Sequence, residues 1–190
     1  MTASKGEIRA VFRGSGISIP EVEVDNHMLA RVLDTSDEWI RARSGVVTRY
    51  YVEPGVGSSE LGVRAAEGAL EDSGIAAEEI DYIVCATMTP DHYFPGSGTL
   101  IQEGLGIGPR PAIDLRQQCA GFAYGLQMVD ALIRSGQART VLLVGCDVHS
   151  ALTPFREASW RVLVGRGAAS GPRSRVRMEL EIPPSGRSLW

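Results

Sequence analysis

The residues with the clearest chemical content lie in DLRQQCAGFAYG, positions 114–125, where a polar run ends in Cys119 and small residues and aromatics follow at once. PAIDLR (111–116) before it reads as a strand, and Phe122, Leu126, Val129 and Ile133 after it recur at helical spacing. Cys119 is therefore expected where a strand gives way to a helix, its sulfur toward free backbone N–H groups and the positive end of the helix dipole. Such a setting favours a thiolate nucleophile. Ala120 and Gly121 leave room for a substrate, and Phe122 and Tyr124 could line an acyl-sized cavity. Position alone leaves a second reading open, because cysteine is among the most buried residue types and often serves as a small apolar side chain.

Cys85 and Cys146 sit inside apolar strand runs and are weaker candidates. His149 follows Cys146 by three residues, a spacing that sends the two side chains to opposite faces of an extended segment. With His27 and His92 the histidines are scattered, there is no CxxC, and neither a disulfide framework nor a metal site is signalled. The thiols are expected to be reduced.

A chain of 190 residues, 44% apolar and 22% charged, suits one ordinary globular core, and a net charge of −4 gives no reason to expect nucleic acid as a partner. No apolar run nears the roughly 20 residues needed to cross a bilayer, and MTASKGEIRA lacks a signal-peptide layout. A cytoplasmic protein without membrane association is the expectation. Charge is unevenly placed: residues 1–155 are net −8, whereas 156–190, with 7 Arg and 3 acids, are net +4. Two regions are expected, 1–155 as the domain and 156–190 as an Arg/Pro-rich tail, in which only RVRMELEI (175–182) alternates as a strand would.

The elements that must hold Cys119 follow from the same reading. EIRAVFR (7–13) alternates as a strand and GSGISIP turns away from it. Asp25 caps a helix through HMLARVL. Thr35 with Glu38 makes a capping box for a short helix that carries Trp39 and Arg43 on one face and stops near Gly45. VVTRYYV (46–52) reads as a strand, and Ser58 or Ser59 caps a helix whose stripe is Leu61, Ala65, Ala66, Ala69 and Leu70. DYIVCATM (81–88) and RTVLLVGCDV (139–148) read as buried strands, TPDHYFPGSG as a loop, and 97–105 as a helix. Alternating strands and helices predict an α/β fold with a mostly parallel sheet, in which chemistry sits at the carboxyl ends of strands.

In this order the motifs DTSDEWI (34–40), R-x-R-S-G (41–45), a Ser-Ser before an alanine-rich helix, D-x-I-V-x-A-T (81–87), F-P-G-S (94–97), C-A-G-F (119–122) and G-C-D-V-H-S (145–150) resemble the amino-terminal half of β-ketoacyl-acyl-carrier-protein synthase III, from about residue 7 to about 154. The resemblance implies a thiolase-like fold, here its amino-terminal half, with a mixed, mostly parallel sheet and helices on both faces. It implies an acyltransferase that loads an acyl group from acyl-CoA onto Cys119 for decarboxylative condensation with malonyl-carrier protein, starting fatty-acid or polyketide chains. Acyl-CoA is a substrate, and no cofactor is implied.

On the same resemblance Trp39 and Arg43 match positions that hold the adenine end of coenzyme A, against a plain alternative of a packed aromatic and a solvated charge. Thr35 matches a position near the tunnel mouth, although capping alone would explain it. Phe94 matches a residue that enters the partner subunit's acyl pocket in a homodimer, or else folds back on its own subunit. Family members also use a histidine and an asparagine from the carboxy-terminal half, and the three histidines here are not at that position. The family's Gly-Asp-Gly-Ala-Gly has as its nearest text Gly165-Arg166-Gly167-Ala168-Ala169. A changed reading frame, a premature end or a lineage-specific tail would each account for the break. Two readings follow: an incomplete synthase that still accepts an acyl group, or a non-catalytic fragment that dimerises or pairs with a separate second half.

Overall fold

The computed structural model describes residues 10–149 and the backbone of Val176–Leu180. In chain order the elements are β1 (Phe12–Gly16), β2 (Val22–Asp25), α1 (Asn26–Ala30), α2 (Asp37–Ser44), β3 (Thr48–Tyr51), α3 (Ser58–Ser73), β4 (Tyr82–Ala86), α4 (Ser97–Gly104), β5 (Ala112–Leu115), α5 (Gly121–Arg134), β6 (Thr140–Gly145) and β7 (Val176–Leu180). Short 3-10 turns lie at Ala77–Glu79 and Gln118–Ala120. The GRGAA segment at 165–169 and the strand residues expected at 7–9 lie outside the described residues.

The main sheet has the order β1-β7-β6-β4-β5. β4 pairs parallel with β5 and β6, whereas β7, supplied by the alternating stretch in 156–190, runs antiparallel to β1 and β6. Alternation within the apolar runs lets the central strands serve two faces. Ile83 and Cys85 of β4, with Leu142 and Val144 of β6, pack on Ala65, Ala66 and Ala69 of α3 and Ile101 of α4. The intervening Val84, Val141 and Leu143 pack on Val129 and Ile133 of α5. The chain moves from β4 outward to β5 and then back across to β6. With right-handed crossovers, that reversal puts α4 and α5 on opposite faces. The carboxyl ends of β4, β5 and β6 consequently meet at one edge, where Cys119 emerges.

Several local expectations are corrected. The strand does not turn away at Gly14 but runs through Gly16, because these glycines form its close-packing face. A Cβ on Gly14 would stand 2.6 Å from the Ala69 carbonyl oxygen, and one on Gly16 would run into the Ala65 carbonyl oxygen. Asp25 does cap α1, its carboxylate accepting from Met28 N–H at 2.7 Å, yet the helix ends at Ala30, short of Leu33. Residues 22–24, unassigned from sequence, form β2 together with Asp25 and pair antiparallel with β3.

The cap of α2 is Ser36, not Thr35: Ser36 is extended, and its hydroxyl accepts from Trp39 N–H at 3.1 Å. Gly45, at φ 70°, closes the helix in the left-handed conformation that glycine adopts without strain. Neither Ser58 nor Ser59 caps α3 through its own side chain. Gly57 is the cap residue, and the Asp91 carboxylate, from the loop after β4, accepts from Ser59 N–H at 2.9 Å.

The β1–α3 contact yields a paired test. Gly68 of α3 faces Gly16, but a Cβ there would meet the Gly16 Cα at an ordinary 3.5 Å. Gly68→Ala should raise stability by about 0.5–1 kcal/mol through helix propensity. Gly16→Ala should lower it by about 1–3 kcal/mol through overpacking. Urea-unfolding midpoints that shift in the same direction for both variants would contradict this packing.

Candidate active site

Cys119 is the middle residue of the 3-10 turn Gln118–Ala120, between the carboxyl end of β5 and the first residue of α5. Its thiol is exposed, which removes the reading of a buried apolar filler. Gln118 holds φ 40°, the single non-glycine positive φ among the described residues. Such a backbone costs about 1–3 kcal/mol and persists where its surroundings over-determine it. Here Gln118 N–H donates to the Met88 Sδ at 3.2 Å, and Ala120 N–H to the Gln117 carbonyl at 3.0 Å. No side chain caps α5; the 3-10 turn runs straight into it, and Gly121 N–H donates to the Gln118 carbonyl.

The other two cysteines are buried side by side, Sγ to Sγ at 3.8 Å. The contact with Cys146, followed by burial, pushes the Cys85 thiol well up. A protonated, enclosed thiol is a poor nucleophile.

Carboxylates tie the loops of the sheet edge together. Asp147 Oδ1, just past β6, accepts from Met88 N–H at 2.6 Å and from the Thr87 and Thr89 hydroxyls at 3.2 and 3.3 Å. The Thr89 hydroxyl also accepts from Val148 N–H at 2.6 Å, and Ser58 Oγ donates to the Thr89 carbonyl at 2.6 Å. Met88, whose sulfur receives Gln118 N–H, is thereby held between β4 and β6. Asp114 of β5 accepts from Ser97 and Gly98 N–H at 2.7 and 2.8 Å and so caps α4. A Cβ on Gly96 would come within 2.9 Å of that carboxylate, which explains the glycine after Phe94-Pro95.

Trp39 and Arg43 are brought together on α2 as their spacing requires, the guanidinium 4.3 Å from the indole centroid. Trp39 is 40% exposed, so one ring face is engaged by Arg43 while the residue still reaches the surface. Behind it, Asn26, Asp37, Arg41 and Arg49 form a hydrogen-bonded chain that no spacing rule announced. Its signal was a polar residue directly after the α1 cap and an arginine inside a strand. The Asn26 contact, with Arg41, holds the Asp37 carboxyl below its ordinary range.

Thr35 is half-buried beside this helix, and its hydroxyl makes no hydrogen bond. Phe94 and its neighbour Tyr93 are each 91% exposed, so Phe94 does not fold back onto the described part of its own subunit. Arg116 stacks over Tyr93 at 5.2 Å. Phe122 packs on Gly145 of β6 and joins the α5 core, while Tyr124 projects outward. The site thus comprises two groups, the Cys119 turn at the sheet edge and the Trp39–Arg43 pair on α2. Among the described residues no cluster of three metal-ligating side chains occurs, and no helix is long and apolar enough to cross a membrane.

A mixed sheet with helices on both faces, with an exposed cysteine on the turn at its edge, places the fold in the thiolase-like class. Solved structures agree: 3-oxoacyl-(acyl carrier protein) synthase III of Pseudomonas aeruginosa superposes with TM-score 0.82 at 37% identity, over 92% of this chain and 52% of that one. The Aquifex aeolicus synthase III gives TM-score 0.83 at 31% identity, over 91% and 54%. The family model for 3-oxoacyl-[acyl-carrier-protein (ACP)] synthase III matches residues 113–171. Curated relatives called β-ketoacyl-[acyl-carrier-protein] synthase III include those of Rhodospirillum rubrum, 43% identical over 163 residues, and Ruegeria pomeroyi, 46% identical over 162. In each case 85% of this chain is covered and 50% of the relative. The chain is a partial-length relative of the β-ketoacyl-acyl-carrier-protein synthase III family, spanning about half the length of the curated relatives it matches.

The contrast between one exposed and two buried thiols sets an expected labelling pattern. A water-soluble thiol reagent should modify Cys119 in the native chain and all three cysteines after unfolding, with native labelling abolished in Cys119→Ala. Mass spectrometry showing fast native modification of Cys85 or Cys146 would contradict the placement of the three thiols.

Proposed function

We propose that this chain accepts an acyl group from acyl-CoA on Cys119, the loading half-reaction of a synthase III-type condensing enzyme. The observation that carries the reading is the exposed cysteine on a conformationally special turn between β5 and α5. The Cys119 sulfur attacks the thioester carbonyl, a new thioester forms, and the coenzyme A thiolate leaves. Trp39 and Arg43 are assigned to the nucleotide end of coenzyme A, the indole by stacking and the guanidinium by charge toward phosphate. Thr35 is assigned to the tunnel mouth, next to that pair.

Phe94, wholly outward on its loop, is assigned to a partner subunit's acyl pocket in a homodimer, and Phe122 to the wall behind the acyl chain. Condensation of the loaded acyl group with malonyl-carrier protein, which forms a carbon–carbon bond and releases carbon dioxide, belongs to the full-length relatives' reading. It is assigned here only in concert with a second half bearing the family's histidine and asparagine. We place the protein in the cytoplasm, where acyl-CoA and carrier protein are met, and assign the catalytic domain to 1–155; the 156–190 segment, expected as a tail, instead supplies β7 between β1 and β6 of the same sheet. A structural relative is the priming β-ketosynthase of a polyketide pathway, at 29% identity and TM-score 0.82, so both fatty-acid and polyketide initiation stay within this proposal.

The half-length match favours a second reading, a non-catalytic unit that dimerises or pairs through Phe94. Intact-mass measurement separates the two. Incubation with acetyl-CoA or another short acyl-CoA should add one acyl group per chain, and Cys119→Ala should add none. A wild-type chain that gains no acyl mass while remaining folded and oligomeric would leave the non-catalytic reading.

A further inference from the structure

The Asn26 side chain is 1% exposed, at the first position of α1, yet every polar atom of its carboxamide is engaged. Its Nδ2 donates to Asp37 Oδ1 at 2.8 Å and to the Val46 carbonyl at 2.9 Å. Its Oδ1 accepts from Arg49 Nη1 at 2.7 Å, and Arg49, 4% exposed on β3, also donates to the Val24 carbonyl of β2 at 3.4 Å. Asp37 is the first residue of α2, and Val46 lies two residues beyond its last. One amide therefore grips both ends of an eight-residue helix and anchors it through Arg49 to the β2–β3 ribbon. Asp37 in turn accepts from Arg41 Nε through both oxygens, at 2.8 and 2.7 Å. That contact keeps Arg41 on its own turn of the helix and leaves Arg43 to the Trp39 ring.

So short a helix has little stability of its own and takes its place from such contacts. The apolar support beneath it is small, with Leu29 and Ile40 the buried members of that cluster. Both donors on Nδ2 and the acceptor on Oδ1 fix the amide orientation, and only asparagine supplies this set at that length.

We propose that Asn26 is a positioning residue for the nucleotide-binding face of α2, setting where the Trp39–Arg43 pair stands against the adenine end of coenzyme A. The inference rests on the assignment of that pair to coenzyme A. Asn26 acts through α2 and touches no substrate itself. Removing its amide unpins both helix ends, and the cost falls on the nucleotide grip rather than on the chemistry at Cys119.

The test is binding of adenosine 3′,5′-bisphosphate and of coenzyme A, followed by titration calorimetry, in the 190-residue chain and four variants. Asn26→Asp keeps the volume and the acceptor for Arg49 but removes both donors and sets a carboxylate against Asp37; Asn26→Ala removes all three bonds. Each should weaken both ligands about tenfold or more, a size ordinary for members of one hydrogen-bonded network. Acyl transfer to Cys119 from an acyl-pantetheine, which lacks the nucleotide, should stay within about twofold of wild type. Gly16→Ala, destabilised at the distant β1–α3 contact, should keep wild-type affinity and so separates lost stability from lost positioning. If the folded Asn26 variants bind as wild type, or if acyl-pantetheine transfer falls in step with nucleotide binding, the positioning role is overturned. Arg43→Ala distinguishes the underlying assignment: unchanged nucleotide affinity in that variant rejects coenzyme A at α2 itself.

Discussion

The fixed point of the molecule is the Asp147 carboxylate. Placed one residue past the Cys146 that follows β6, it receives the backbone of Met88 and the hydroxyls of Thr87 and Thr89, so the two central strands cannot separate at their carboxyl ends. The loop it fixes then does three further things. Thr89 holds Ser58 at the start of α3, Asp91 caps the same helix, and the Met88 sulfur takes the N–H of Gln118. The unusual backbone beside Cys119 is thus a consequence of how two apolar strands are tied, and the position of the thiol is inherited from the sheet. Asp147 is half-buried, and its three accepted bonds couple folding of the core to assembly of the turn.

The second group has a separate mechanical basis. α2 is linked to the β2–β3 ribbon and α1 through Asn26 and Arg49, and it owes its place to polar contacts more than to area. A sheet edge held by carboxylates and a short helix held by an amide are two separate devices. The first carries Cys119, and the second, with the smaller core, carries Trp39 and Arg43. That division suits the proposed acyl loading, in which the bond-making atom must be fixed while a long cosubstrate arrives and departs.

Much of this was legible in the sequence. Buried strands at 82–86 and 140–145 were written in uninterrupted apolar runs, α5 in the period of Phe122, Leu126, Val129 and Ile133, and the cysteine's place between strand and helix in the residues on either side. The pairing of Trp39 with Arg43 followed from four-residue spacing alone. What escaped was settled by contacts between distant segments. Gly14 and Gly16 read as a turn because the helix against which they flatten is some fifty residues away. Thr35 read as a cap because Ser36, equally suited by type, differs only in the backbone it adopts. Ser58 and Ser59 read as caps because the Asp91 that does this work lies in another loop. The roles of Asn26, Asp114 and Asp147 have no local signature beyond a polar residue where an apolar one would do.

The central claim is that of three thiols only the one on the 118–120 turn accepts an acyl group. Its most direct test is peptide mapping of the chain after reaction with an isotopically labelled short acyl-CoA, digested under conditions that preserve thioesters. The account predicts the label on the peptide containing Cys119, at one acyl group per chain, with the Cys85 and Cys146 peptides unlabelled. Label on either buried cysteine, or on no cysteine in a chain shown to be folded, would contradict it.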